Sequence, residues 1–258
     1  MVRQQVVRLK PNLTSRAQVS QKGAGAWHLE VPAGPEGGYR LAQLDDYSDL
    51  RRVIFPWNPA VNLSLRAKAS HRDIPGTWGF GLWNDPFSLS LGFGGGTRRW
   101  PVLPNAAWFF FASTPNYLSL RDDLPAQGNL AATFHSPQWP SHLLALGAPA
   151  MPLLLWPPGA RLIRRLGRRF VHQDAVEMSI DPTVWHSYVF QWQKDSVCFQ
   201  VDGDVMLETP VSPTGPLGLV IWIDNQFAAL PPSGRLSYGT LANPEPVWID
   251  IEGVNMSA

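Results

Sequence analysis

Between Thr183 and Gln226, hydrophobic and polar residues alternate in successive short runs. His186, Tyr188, Phe190 and Trp192 fall on one parity, and Ser187, Val189 and Gln191 on the other. A period of two is that of a strand with one buried face. Val197, Phe199 and Val201 repeat it after the polar break at Lys194-Asp195. Asp202-Gly203 then separates two β-like runs, a two-residue hairpin signal. Leu217, Leu219, Ile221 and Ile223 form a clean core face on a further strand. The stretch predicts an antiparallel meander feeding a hydrophobic strand.

The same alternation predicts strands elsewhere. Residues 1–25 read as a first strand and a loop. Trp27, Leu29 and Val31 mark a short strand, and Tyr39–Tyr47 a second that ends in paired aspartates. Leu63, Leu65, Ala67 and Ala69 alternate with Ser64, Arg66 and Lys68. In 77–83, Trp78, Phe80 and Leu82 make a core face, while Gly79, Gly81, Trp83 and Asp85 take the other side. Glycines inside a strand mark a bulky neighbour or a ligand that comes close. Asn105–Ala112 is apolar on both parities, as in a strand buried from both sides. Leu130–Phe134 reads as another strand, and Val247, Ile249 and Ile251 as a closing one. Pro210–Pro216 and Pro231–Glu245 read as loops. Together these predict an all-β antiparallel sandwich in a single domain spanning 1–258.

One region departs from this period. Leu143–Trp156 is an apolar run broken by Pro149 and Pro152, too short and too interrupted for a membrane span. In 161–170, Leu162, Ile163, Leu166 and Phe170 share one helical face, and Arg161, Arg164, Arg165, Arg168 and Arg169 occupy much of the rest. Residues 139–172 therefore read as a helical insertion. It is expected to cover the sheet as a lid, or to make peripheral contact with an anionic membrane through 161–170.

Composition narrows the classes. The chain has 258 residues, 45% of them hydrophobic, with a net charge of +1, which argues against a general nucleic-acid binder. Cys198 is the single cysteine, so no intrachain disulfide or cysteine cage forms. The six histidines show no metal-ligand spacing, and no Gly-x-Ser-x-Gly elbow occurs. Residues 1–10 lack an apolar segment of the signal-peptide kind, so the expected location is cytoplasmic. Gly92–Gly96 is followed by Thr-Arg-Arg-Trp-Pro rather than by a helix, which fits a loop and not a phosphate cradle. No cofactor is expected. Ca²⁺ at Asp45-Asp46 or Asp122-Asp123 is weighed against solvated loop carboxylates.

Leu63 to Ser70 followed by Gly76 to Trp83 resembles a strand pair of the concanavalin A-like lectin/glucanase superfamily, near family 16 glycoside hydrolases. Trp185 to Trp192 with Phe199 to Gly203 resembles that family's later outer-sheet hairpin. The resemblance covers residues 60–252 and implies a two-sheet jelly roll whose concave sheet forms the ligand face. Hydrolytic members carry a strand with the pattern Glu-x-Asp-x(-x)-Glu after the Gly-Thr-Trp strand. Retaining hydrolysis needs two carboxyls about 5 Å apart, which alternate strand residues supply. The corresponding strand here, 105–112, has no carboxylate.

Parity singles out one candidate face. Gly218, Val220, Trp222 and Asp224 repeat the glycine, tryptophan, aspartate order of Gly81, Trp83 and Asp85. The ligand-binding set is then Trp83, Asn84, Asp85, Trp222, Asp224, Asn225 and Gln226, with rings for a sugar's C–H face and acceptors for its hydroxyls. The alternative is that the tryptophans are core and the aspartates cap loops. Three functions follow: a non-hydrolytic carbohydrate- or glycoconjugate-binding domain; a lidded enzyme on an apolar substrate with Asp85 or Asp224 as general acid; and a glycoside hydrolase with relocated carboxylates.

Overall fold

The computed structural model describes residues 4, 5, 7–86, 99–140, 142, 144 and 147–257; the glycine-rich stretch Gly92–Gly96 lies outside them. The strands in chain order begin with β1 (Gln4–Gln5), β2 (Lys10–Thr14), β3 (Gln18–Gly23), β4 (Ala26–Val31) and β5 (Leu41–Asp45). Next come β6 (Val61–Ala69), β7 (Thr77–Trp83), β8 (Ala106–Ala112) and β9 (Gly128–His135). A 3-10 helix (Ala148–Leu155) and helix α1 (Pro157–Phe170) follow. Then come β10 (His172–Glu177), β11 (His186–Trp192), β12 (Val197–Val201), β13 (Asp204–Thr209) and β14 (Gly218–Asp224). The last are β15 (Gln226–Ala229), β16 (Ser237–Thr240) and β17 (Val247–Ser257).

The strands build two large antiparallel sheets. One runs β10-β9-β8-β7-β14-β5-β2, the other β13-β12-β11-β6-β17-β4-β3, with β1 paired to β17. This is the two-sheet jelly-roll sandwich that the alternation and the family resemblance imply. The strands predicted near 63–69, 77–83, 106–112, 186–192, 197–202, 217–223 and 247–252 are present, within two residues at each end except that β17 runs on to Ser257. The sandwich core is made by the parities read from the sequence. Trp78, Phe80 and Leu82 of β7 and Leu219, Ile221 and Ile223 of β14 are buried against Leu63, Leu65, Tyr188, Phe190 and Phe199. Phe80 meets Tyr188 edge-on with centroids 5.0 Å apart, and Phe109 meets Phe199 at 5.3 Å, so aromatic pairs bridge the two sheets.

Several strands escaped the pattern. Residues 1–25, read as one strand and a loop, hold β1, β2 and β3, and β15 follows β14 after a single residue. β10 is the edge strand beside β9, and its sequence His-Gln-Asp-Ala-Val-Glu has only two apolar residues, too few to show alternation. β16 pairs with β15 inside the segment 231–245 read as a loop. Ser-Tyr-Gly-Thr owes its strand character to that pairing rather than to its own composition.

The segment 139–172 holds the α-helix, as expected, but its orientation differs from the lid reading. Pro157 and Pro158 open α1, where the missing N–H groups have no intrahelical partner to lose. Gly159, Ala160 and Arg164 are the helix's buried residues, while Leu162, Leu166 and Phe170 are exposed. Arg164 wins the inner position because it satisfies buried carbonyls that a leucine cannot. Its guanidinium donates to the carbonyls of Ser119 (2.6 Å), Leu230 (2.9 Å) and Arg121 (2.8 Å) and to Asp122 Oδ1 (2.9 Å). It also lies 5.3 Å from the Tyr117 ring centroid. The helix is thus fastened to two loops by its arginines, Arg164 above all with Arg168 on Asp122, and not by its apolar face.

Candidate functional site

The seven-stranded sheet is apolar on both sides, and its outer face is where the candidate site falls. Antiparallel register fixes which residues share that face. Gly81 lies opposite Trp108 and Val220, and Gly79 lies opposite Phe110 and Trp222. Strand parity therefore puts Trp83, Trp108, Phe110 and Trp222 on the side away from the other sheet. Trp83 and Trp108 have ring centroids 6.0 Å apart, Trp108 and Trp222 5.7 Å, and Trp222 and Phe110 5.9 Å. The rings form one row across three strands, folded back on itself where Phe110 also meets Trp108 at 5.7 Å.

The glycines make that row fit. A Cβ at Gly79 would stand 2.9 Å from the Trp222 ring and 2.3 Å from the Phe109 carbonyl oxygen. One at Gly81 would stand 2.5 Å from Trp108 Cβ. The space on the glycine-bearing parity is taken by the chain's own tryptophans. Leu50 and Phe55 pack at one end of the row, and Leu120, Leu124 and Leu103 cover part of it from the other side. Trp83 and Trp108 stay half-buried, while Trp222 is only 9% exposed. The Trp83 Nε1 is buried and turned toward the Tyr47 hydroxyl, whose ring lies 6.2 Å away.

The two carboxylates of the predicted set lie at opposite ends of the face. Asp224 is opposite Thr77, whereas Asp85 lies beyond Trp83, which pairs with Gly218. Eight residues of extended chain span on the order of 25 Å. Asp85 is buried in an ion pair with Arg99, whose guanidinium also donates to the carbonyls of Tyr47, Ser48 and Leu50. Burial raises the Asp85 carboxyl above its ordinary range, and Arg99 opposes the shift. Asp224 Oδ1 accepts from Thr77 Oγ1 at 2.8 Å and from the backbone N–H of Thr77 and Gln226 at 3.3 Å each. Tyr39 donates to Asp224 Oδ2 at 3.4 Å, and the Trp222 indole donates to Thr77 Oγ1 at 3.0 Å.

The amides are also engaged. Asn84 donates to the Leu103 carbonyl and accepts from Asn105 N–H. Asn225 is fully buried, accepts from Arg40 N–H and donates to the carbonyls of Gly38 and Leu241. Gln226 is half-buried at the start of β15. The structure thus brings the two tryptophans onto one face, joined by Trp108, and sets the polar members at the strand ends in bonds of their own. Trp108 and Phe110 were absent from the sequence-level set; their even parity in 105–112, opposite the two glycines, was the available signal.

The aspartate pairs weighed for Ca²⁺ have other partners. Asp45 accepts from Gln43, from Ser48 Oγ and from two backbone N–H groups. Asp46 accepts from the Trp57 indole and Leu219 N–H. Asp122 pairs with Arg164 and Arg168, and Asp123 with Arg121. No group of three or more His, Cys, Asp or Glu suited to a metal occurs among the described residues.

Burial pushes Asp224 up to about 7 from the ordinary 3.8, and Asp46 up to about 6. A carboxyl raised in the folded state favours folding most below its unfolded value, where it is neutral in both states. Between about pH 4 and 7 the unfolded chain gives up a proton that the folded chain keeps, so stability falls as pH rises. Asp224→Asn is expected to flatten this fall, leaving the smaller Asp46 contribution. Melting temperatures of both proteins from pH 4 to 8 check this. An unchanged pH slope in the variant would show that Asp224 is ionised in the fold.

No protein-family model matches the chain, and no curated protein is similar to it in sequence. Solved structures similar to it include a Bacillus licheniformis beta-glucanase, at 11% identity over 92% of this chain and 81% of that one, with a TM-score of 0.45. Another is the kappa-carrageenase of Pseudoalteromonas carrageenovora in complex with an oligotetrasaccharide of kappa-carrageenan, at 12% identity, 94% and 82% coverage and a TM-score of 0.49. A third is a beta-1,3-1,4-glucanase (lichenase) derived from a mouse hindgut metagenome, at 9% identity, 93% and 81% coverage and a TM-score of 0.47. The likeness is one of fold.

Proposed function

We propose that this chain is a non-hydrolytic carbohydrate- or glycoconjugate-binding domain whose ligand lies over Trp83 and Trp108. The carrying observation is the pair of adjacent, half-buried indoles on the outer face. A pyranose presents a C–H face to such rings. Hydrolysis by the family mechanism has no support, because the outward residues of β8 are Ala106, Trp108, Phe110 and Ala112. Nor do Asp85 and Asp224 serve as a relocated pair, since a glycosidase needs its carboxyls about 5 to 9.5 Å apart. The aspartates and amides of the original set hold the strand ends, and the rings carry the ligand.

A second reading draws on Asp224. A carboxyl raised to about 7 is partly protonated at neutral pH and is suited to general acid catalysis on an apolar substrate. Its oxygens are committed to Thr77, Gln226 and Tyr39, so it ranks below the binding reading.

A glycan array followed by calorimetric titration of the best oligosaccharide tests the binding reading, and a turnover screen on apolar esters and ethers tests the second. Trp108→Ala and Trp83→Ala are each expected to weaken binding by about 1–3 kcal/mol, roughly 5- to 150-fold. No reducing ends should be released. An array with no retained glycan, or affinities unchanged in both variants, would overturn the binding reading. Turnover abolished by Asp224→Asn would put the second in its place.

A further inference from the structure

The exposed face of α1 has no role in the site above. Leu162, Leu166 and Phe170 lie four residues apart in sequence, so they form one stripe along the helix, and they are 48%, 42% and 40% exposed. The helix is held by Arg164, so this exposure belongs to a fixed element. Trp139 extends the stripe at one end, with its ring 4.7 Å from that of Phe170. At the other end Leu153 packs on Gly159, which lies on the same side as Leu166, and Trp156 caps the helix with 59% of its surface exposed. A stripe ended by exposed tryptophans suits a water–lipid boundary, where an indole's apolar body and polar N–H both find partners.

The charges beside the stripe have one sign. Residues 157–170 contain five arginines and no acidic residue. Arg164 and Arg168 share Asp122 as an ion-pair partner, whereas Arg161, Arg165 and Arg169 are exposed and have no ion pair among the described residues. At 100° per residue these three fall on the flank between the apolar stripe and open solvent. Their stems can lie along an acyl boundary while the guanidinium groups reach phosphate oxygens.

We propose that α1 docks the protein on an anionic lipid surface, apolar stripe inward, with Arg161, Arg165 and Arg169 on the headgroups. This is the geometry of an interfacial amphipathic helix, not of a span; no described helix is long and apolar enough to cross a membrane. A second copy is a poorer occupant. It would bring two arginine-rich helices together with no carboxylate on either.

Flotation of the full chain with phosphatidylcholine vesicles, with and without phosphatidylserine, tests the proposal. Binding is expected only on the phosphatidylserine vesicles, and it should fall as salt is raised. Arg165→Gln and Arg169→Gln should each weaken it about fivefold. Leu162→Ser with Leu166→Ser should abolish it, with the melting temperature kept because both residues are exposed. Equal binding to both vesicle types, no binding to either, or wild-type binding by the double serine variant would overturn the proposal. So would a concentration-dependent dimer, seen by sedimentation, that the double variant dissolves.

Discussion

Arg164→Ala is expected to be among the most destabilising single substitutions in this chain, at about 2–4 kcal/mol in chemical denaturation. Removing one partner of a buried charged network leaves the others without water or donor. Here the abandoned groups are the carbonyls of Ser119 and Leu230, while the Arg121 carbonyl keeps the Tyr117 hydroxyl and Asp122 keeps Arg168. Arg164→Lys should recover little, because one ammonium cannot reach donors' positions spread over a planar fork. Arg165→Ala, one residue along on an exposed position, is the control and should stay within about 0.5 kcal/mol. A loss below about 1 kcal/mol for Arg164→Ala would mean that the helix is held by something else.

Trp222→Ala is the second large effect. At 9% exposure the ring packs on Trp108 and Phe110, fills the space that Gly79 leaves and donates to Thr77 Oγ1. Its loss opens a large cavity on the outer face, for which about 3–5 kcal/mol is typical. This exceeds the stability cost expected of a ring that serves a ligand alone. Trp222→Phe should keep part of the cavity filled and forfeit the indole bond, giving an intermediate loss. If Trp222→Ala melts within a few degrees of the wild type while Trp108→Ala does not, the roles of the two tryptophans are reversed.

The fold was legible because one face of most strands enters the sandwich core. Phe80, Ile221, Phe190 and Ile249 sit where a period of two puts them. The same rule revealed that 105–112 is buried on both sides, since Ala107, Phe109 and Phe111 alternate with Trp108 and Phe110. Strands that owe their existence to a neighbour were silent: β10 is too polar and β16 too short. The candidate site was legible in part. Parity put Trp83 and Trp222 on one face, but strand direction decides which ends meet. The antiparallel pairing of β7 with β14 carries Asp85 and Asp224 apart. In α1 the stripe was readable and its partner was not. Helical periodicity says which residues share a side, but only the carbonyls of 119–122 and 230 explain why an arginine turns inward.

The central place of β17 has a consequence for how quickly the chain finds its fold. β17 joins β4 to β6, pairing Ile249 with Leu29 on one side and with Ala69 on the other. In the second sheet β14 likewise joins β5 to β7, with Trp222 between Gln43 and Gly79. Each junction ties together residues well over a hundred positions apart, so loops of that size must close before either sheet becomes continuous. Closure entropy is spent before the contacts that reward it exist, which puts folding toward the slow end of the range for all-β proteins. Until then β8, apolar on both faces, stays uncovered, and the interval before closure is when the chain is most exposed to aggregation.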